Sequence, residues 1–148
     1  MKEIAEKGSI DELSGIVVDT AIGVHRDLGP GLLESVYETV LAGRLMARGL
    51  AVQRQFPVPL TIEDHFFDVA FRIDILVDRR LVLEIKAVEK LSKAHARQLL
   101  TYLRLMKQPV GLLLNFSGDT MKEGIRRLVN DYRSESPSAP PASSATSA

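Results

Sequence analysis

Apolar residues change their spacing at Gly49, and that change limits the folds open to the chain. Before it, from Asp11 to Leu28, Leu13, Ile16, Val17, Ala21, Val24 and Leu28 recur at helical intervals, and Leu28-Gly29-Pro30-Gly31 stops the pattern. A second helical run is predicted from Leu32 to Arg48, with Leu33, Val36, Tyr37, Val40, Leu41 and Leu45 on its apolar stripe. After Gly49 the period becomes that of strands, over Ala51 to Phe56, Phe66 to Val77 and Leu81 to Val88. The link between Val77 and Leu81 is short enough for a hairpin. Pro57 and Pro59 confine the end of the first strand to an edge or a bulge. A third helix is predicted from Ser92, its N-cap, to Met106, and Val110 to Phe116 reads as a buried strand. Gly118 to Tyr132 supplies a closing turn and a last short element. The order is therefore α-α-β-β-β-α-β, an α/β chain with a mixed sheet flanked by helices.

At 148 residues the chain is long enough for one domain with a core of its own, expected over residues 8–133. Residues 134–148 are serine, alanine, proline and threonine with almost nothing to bury, and disorder is expected there. Lysine plus arginine number 19 and aspartate plus glutamate 19, so any positive patch that grips a polyanion must be local. The absence of cysteine excludes disulfides, thiolate nucleophiles and cysteine-ligated zinc, and fits a cytoplasmic protein. No stretch approaches the roughly 20 apolar residues of a membrane span, and the mixed charges of the N-terminus do not resemble a signal peptide. A soluble, unexported protein is expected.

The chemistry concentrates between Asp74 and Lys86. Strand alternation puts Glu84 and Lys86 on one face and Leu83, Ile85 and Ala87 on the other, with Asp74 expected to share the face of Glu84. Charged groups placed together on a strand are costly to bury unless an ion or ligand completes them. Spacing alone leaves two readings, a salt-bridged cluster or a metal site. Magnesium accepts one or two carboxylates and leaves its remaining positions to water and phosphate, which Asp74 and Glu84 can satisfy.

Asp74 followed by Glu84-Ile85-Lys86 resembles the D…(D/E)-x-K signature of the PD-(D/E)XK, or restriction-endonuclease-like, nuclease superfamily. Gly31-Leu-Leu-Glu34-Ser-Val-Tyr37 resembles the motif of the GxxExxY proteins within it. The likeness continues through Leu28 to Gly31, Arg72 to Val77, Leu83 to Ala87, His95 to Leu103 and Gly111 to Phe116, in the expected order. It implies a restriction-endonuclease-like fold and a metal-dependent nuclease using Mg2+ or Mn2+ on nucleic acid, with DNA the expected substrate. By position it assigns metal binding to Asp74, Glu84, Glu34 and the Ile85 carbonyl, and catalysis to Lys86 together with Asp74, Glu84 and Gln98. Gln98 and Tyr102, one helical turn apart, resemble a Q-x-x-x-Y element that supports the site and contacts nucleic acid. Lys93, Arg97 and His95 are the further expected substrate contacts. Between Pro57 and Phe71 the chain departs from the family's aromatic-lysine-glycine turn, so a loop of different shape is expected.

Simpler roles stand beside these. Glu34 in a helix's first turn is stabilised by the macrodipole without any function, and Tyr37 on the apolar stripe is expected in the core. Asn115 reads as a turn former, and His25 and His65 lack the spacing of a zinc site. The alternative to an enzyme is a non-catalytic module that keeps the fold and holds nucleic acid or a protein. A third reading has a site that works only in a homo-oligomer or larger complex.

Overall fold

The computed structural model describes residues 8–130. The expected serine-rich tail, and the end of the domain from 131 to 133, lie outside the described residues. Helix α1, Ile10–Leu28, starts with a capping box: Ser9 Oγ accepts from the Glu12 amide at 3.0 Å, and Glu12 Oε1 accepts from the Ser9 amide at 3.1 Å. Of its predicted stripe, Leu13, Val17, Ala21 and Val24 are buried and Leu28 is partly buried, whereas Ile16 is exposed. Helix α2, Glu34–Ala47, has Leu33 at its N-cap and so no side-chain cap. Tyr37 instead fixes the chain just before the helix. Its hydroxyl donates to the Gly29 carbonyl at 2.6 Å and accepts from the Leu32 amide at 3.0 Å, tying down the loop that leads into the helix. That loop turns through Gly29 and Gly31 at φ 73 and 106, where a side chain would be strained.

Strands β1 (Val52–Ile62), β2 (His65–Val77) and β3 (Leu81–Lys86) form an antiparallel meander. Helix α3 (Lys93–Met106) crosses over to β4 (Val110–Asn115), which pairs parallel with β3 as a helical crossover permits. A single 3-10 turn, Lys122–Gly124, leads to β5 (Ile125–Val129), antiparallel to β4 and at the far edge. The sheet order is β1-β2-β3-β4-β5. This is the expected restriction-endonuclease-like α/β architecture, with β5 as the closing element.

Helices cover both faces of the sheet. Ile75, Val77, Leu81, Leu83, Ile85, Leu112 and Leu114 pack under α1 and α2, while Ile73, Leu76, Val82 and Leu113 pack against Leu99 and Leu103 of α3. Covering on both sides explains why β3 and β4 read as apolar runs rather than alternating ones. Ser92 caps α3 as predicted. The expected bulge also appears, as a register shift between Val58 and Leu60 on the edge strand β1.

Strand β2 covers the predicted Phe66 to Val77, but the chain from Pro57 to Ile62, expected to lie beyond the first strand in a loop, continues β1. Pro57 to Phe71 is a β-hairpin arm whose turn, Glu63-Asp64, has φ 48 and 74, the left-handed pair that a two-residue turn between twisted strands requires. Pairing of β1 with β2 continues to Ile62 and His65, while β2 pairs with β3 only at Ile75, Leu76 and Val77, so the arm stands clear of the sheet. Phe66, Phe67 and Val69 are consequently exposed.

Candidate functional site

The β2-β3 ladder ends one residue short of the signature acids. Its last assigned pair is Ile75 with Leu83, so Asp74 and Glu84 are the next opposed residues. There the side chains replace the ladder carbonyls: Glu84 Oε2 accepts from the Asp74 amide at 3.0 Å, and Asp74 Oδ2 accepts from the Ile85 amide at 2.7 Å. Each acid thus satisfies a backbone donor on the opposite strand. The break extends to β1. Ile75 packs on the α1/α2 side, yet Ile73 packs on the α3 side with its partner Phe56, although strict alternation would put residues 73 and 75 on one face. Between these pairs lies Gln55, opposite Asp74, with φ 48.

Glu84 is 5% exposed. Burial pushes its pKa up to about 8, and the neighbouring charge of Asp74 adds to the effect, while the Asp74 amide and Lys86 oppose it. Asp74 is also raised, chiefly by burial, against hydrogen bonds from Ile85 and Gln55 and the charge of Lys86. Burial raises the Tyr102 phenol, and the charges of Glu84 and Asp74 add to this, which puts Tyr102 of α3 in the field of both acids. Its ring stacks on Phe71 at the base of the arm, with centroids 4.1 Å apart.

Asp74, Glu84, Lys86 and Tyr102 therefore converge. Glu34 joins them from the first turn of α2: its charge acts on Asp74, and its Oε2 accepts from the Ala87 amide at 3.1 Å. Ile85 lies between Glu84 and Lys86 with its side chain in the α1/α2 core. The other expected residues lie on α3 and make no hydrogen bond to these groups among the described residues. Lys93, Arg97 and Gln98 are exposed on α3, and Gln98 makes no hydrogen bond among the described residues. His95 completes the α3 capping box, its Nδ1 accepting from the Ser92 amide at 3.0 Å. Tyr37 is core, as read, and stacks on Phe116 with centroids 4.6 Å apart. Asn115 ties the chain after β3 to β4, donating to the Val88 carbonyl at 2.8 Å and accepting from its amide at 3.0 Å.

Among the described residues no three His, Cys, Asp or Glu side chains stand together in a ready metal-holding set. The donor chemistry nonetheless suits a hard divalent cation. Two carboxylates stand opposite each other where the ladder opens, Glu84 Oε1 accepts no hydrogen bond among the described residues, and a buried carboxylate held near pKa 8 is one whose charge a cation would stabilise.

A family model for the PD-(D/E)XK nuclease superfamily matches residues 11–128. The chain belongs to the PD-(D/E)XK nuclease superfamily. Comparison with curated proteins and with solved structures found no match. Members of this superfamily are nucleases that act on nucleic acid and generally use divalent metals. No helix among the described residues is long and apolar enough to cross a membrane.

Two residues of this candidate site carried no expectation from the sequence. Glu38, one helical turn after Glu34 and 6% exposed, accepts from Arg54 Nε at 3.1 Å and from Gln55 Nε2 at 3.0 Å. Its i+4 spacing from Glu34 was a usable signal. Gln55 offered none, because its position opposite Asp74 follows from the strand register alone.

Proposed function

We propose that this protein is a Mg2+- or Mn2+-dependent nuclease that hydrolyses phosphodiester bonds in DNA, and that it belongs among the GxxExxY proteins. One observation carries the reading: Asp74 and Glu84 are anchored on each other's strands where the ladder opens, and their charges and that of Lys86 act on one another. Asp74, Glu84 and the Ile85 carbonyl would hold the cation, with Glu34 beside them. When bound, such an ion supplies charge neutralisation at the phosphate and activation of water. Lys86 orients the attacking water and stabilises the negative charge that develops on the phosphate. Gln98 supports Lys86 from α3. Tyr102, backed by Phe71, offers a stacking surface, and Lys93, Arg97 and His95 meet the phosphate backbone.

Purified protein incubated with single-stranded, double-stranded and branched DNA or RNA should cleave in the presence of either metal. Asp74→Asn and Lys86→Ala should abolish cleavage while unfolding within about 0.5–2 kcal/mol of the parent. Cleavage that survives in either folded variant would remove these residues from the chemistry. The formal neutrality of the chain and the exposed apolar arm favour a second reading, a non-catalytic module that binds nucleic acid or a protein. It predicts binding without turnover and no calorimetric response to Mn2+.

A further inference from the structure

Arg54 and Gln55 are neighbours on β1, yet both donate to the same buried carboxylate, Glu38. In a regular strand adjacent side chains point to opposite faces, so two consecutive residues cannot reach one acceptor. The left-handed backbone of Gln55, at φ 48, makes this possible. A non-glycine residue held there is strained by roughly 1–2 kcal/mol, and such strain persists where the surroundings over-determine it. Here they do. Gln55 Nε2 donates to Glu38 Oε1 at 3.0 Å and to Asp74 Oδ1 at 3.3 Å, while the other Asp74 oxygen accepts from the Ile85 amide. Both oxygens of Asp74 are thereby fixed, one from β3 and one through a carboxamide reaching back to α2.

From this geometry we infer that Gln55 is a positioning residue: it acts through Asp74, setting the orientation of that carboxylate toward the cation and keeping Glu38 at a fixed distance from it. A neutral double donor is the chemistry this place demands. A carboxylate would face two like charges, and a lysine would neutralise the acid the cation needs. Arg54 supplies the counter-charge for Glu38, leaving the Gln55 amide free to serve both acids.

The inference rests on the metal-dependent reading above, and the test separates the two. Gln55→Gly removes the carboxamide and relieves the left-handed strain, and Gln55→Ala removes the carboxamide and keeps the strain. Mn2+ binding to the full chain is measured by calorimetry, Tm by thermal melts, and kcat and KM on DNA. Gln55→Gly should melt above Gln55→Ala, since both lose the same two hydrogen bonds and only glycine relieves the left-handed strain. Both should bind Mn2+ more weakly by roughly 10- to 100-fold, the usual consequence of losing a group that orients a metal ligand. The metal affinity and kcat should fall together while KM for DNA stays within about twofold, because Gln55 does not meet the substrate. If the parent binds Mn2+ and Gln55→Gly binds it equally well, the positioning role is overturned and the nuclease reading stands. If the parent itself binds no Mn2+, the metal reading fails and takes this inference with it.

Discussion

Replacing Glu84 by glutamine isolates the cost of placing its charge inside the protein. In the unfolded chain this carboxyl ionises near 4.5, whereas in the folded chain burial and Asp74 hold its proton up to about 8. Between those values the unfolded state has released a proton that the folded state retains, so stability falls as pH rises. The contribution is fully present below about pH 4.5 and lost by the time pH passes about 8. At about 1.4 kcal/mol per pH unit the whole window amounts to roughly 5 kcal/mol, an upper bound for a side chain whose strands can relax around it. Glutamine keeps the oxygen that accepts from the Asp74 amide and never ionises, so the variant lacks this slope.

Urea denaturation in EDTA, run for parent and Glu84→Gln in parallel, reads the difference directly. The variant should gain on the parent steadily from about pH 5 to about pH 8, by several kcal/mol in all, while losing cleavage at every pH. Groups that do not interact with Glu84 titrate alike in both proteins and cancel in the comparison. A stability difference that stays constant with pH would refute the reasoning, since it would mean that Glu84 ionises in the fold as readily as in the open chain.

Three further outcomes are expected. Mn2+ at about 100 times its dissociation constant should stabilise the parent by about 2.7 kcal/mol, most effectively toward alkaline pH where Glu84 is ready to lose its proton, and should not stabilise Glu84→Gln to the same extent; thermal melts with and without metal decide this. Tyr37→Phe removes the two hydrogen bonds that hold the Gly29 to Leu32 loop and should cost roughly 1–3 kcal/mol by urea denaturation, with an unchanged midpoint showing that the loop is held by other contacts. Gly124→Ala would put a Cβ 2.0 Å from the Asn115 carbonyl oxygen, so it should destabilise by about 3 kcal/mol or more; a melt within a degree or two of the parent would show that the backbone yields there.

The elements with strong period were readable because one face of each is buried. Helix α1 begins within a residue of the predicted Asp11, and α3 has its N-cap at Ser92. The proline bulge on β1 was readable for a different reason: an absent amide donor is a property of the residue itself. The strand over Phe66 to Phe71 was read, but the continuation of β1 from Pro57 to Ile62 that pairs with it into a hairpin was not. The hairpin's faces are open, so Phe66, Phe67 and Val69 carry no inside-outside alternation, and its turn uses Glu63-Asp64 rather than a glycine pair. At the candidate site, the spacing of Asp74, Glu84 and Lys86 led to the expectation that they are neighbours by assuming regular strands. The structure reaches the same cluster through an irregularity, a ladder that stops before Asp74 and a face switch at Ile73. Glu38 and Gln55 belong to the site because of that irregularity, and strand periodicity cannot reveal them.

The acids also serve the fold. Where β2 and β3 part, the amides of Asp74 and Ile85 donate to the Glu84 and Asp74 carboxylates in place of ladder carbonyls, so the proposed ligand groups are bonded to the same backbone that positions them. Alanine at either acid would leave a strand amide without its acceptor, at about 1–3 kcal/mol, and confuse lost chemistry with a loosened sheet. Glutamine at residue 84 keeps the oxygen that accepts from the Asp74 amide and removes only the charge, while asparagine at residue 74 keeps the acceptor for the Ile85 amide and turns the oxygen that accepts from Gln55 into a donor. If the ladder break exists to present charge, these amide variants should fold well, gain stability at alkaline pH and be inert as nucleases. If instead it is a structural joint, they should fold well and cleave as before. Folded stability and catalysis thus separate at the same two oxygens, and the amide variants distinguish a built reaction centre from a polar joint within the sheet.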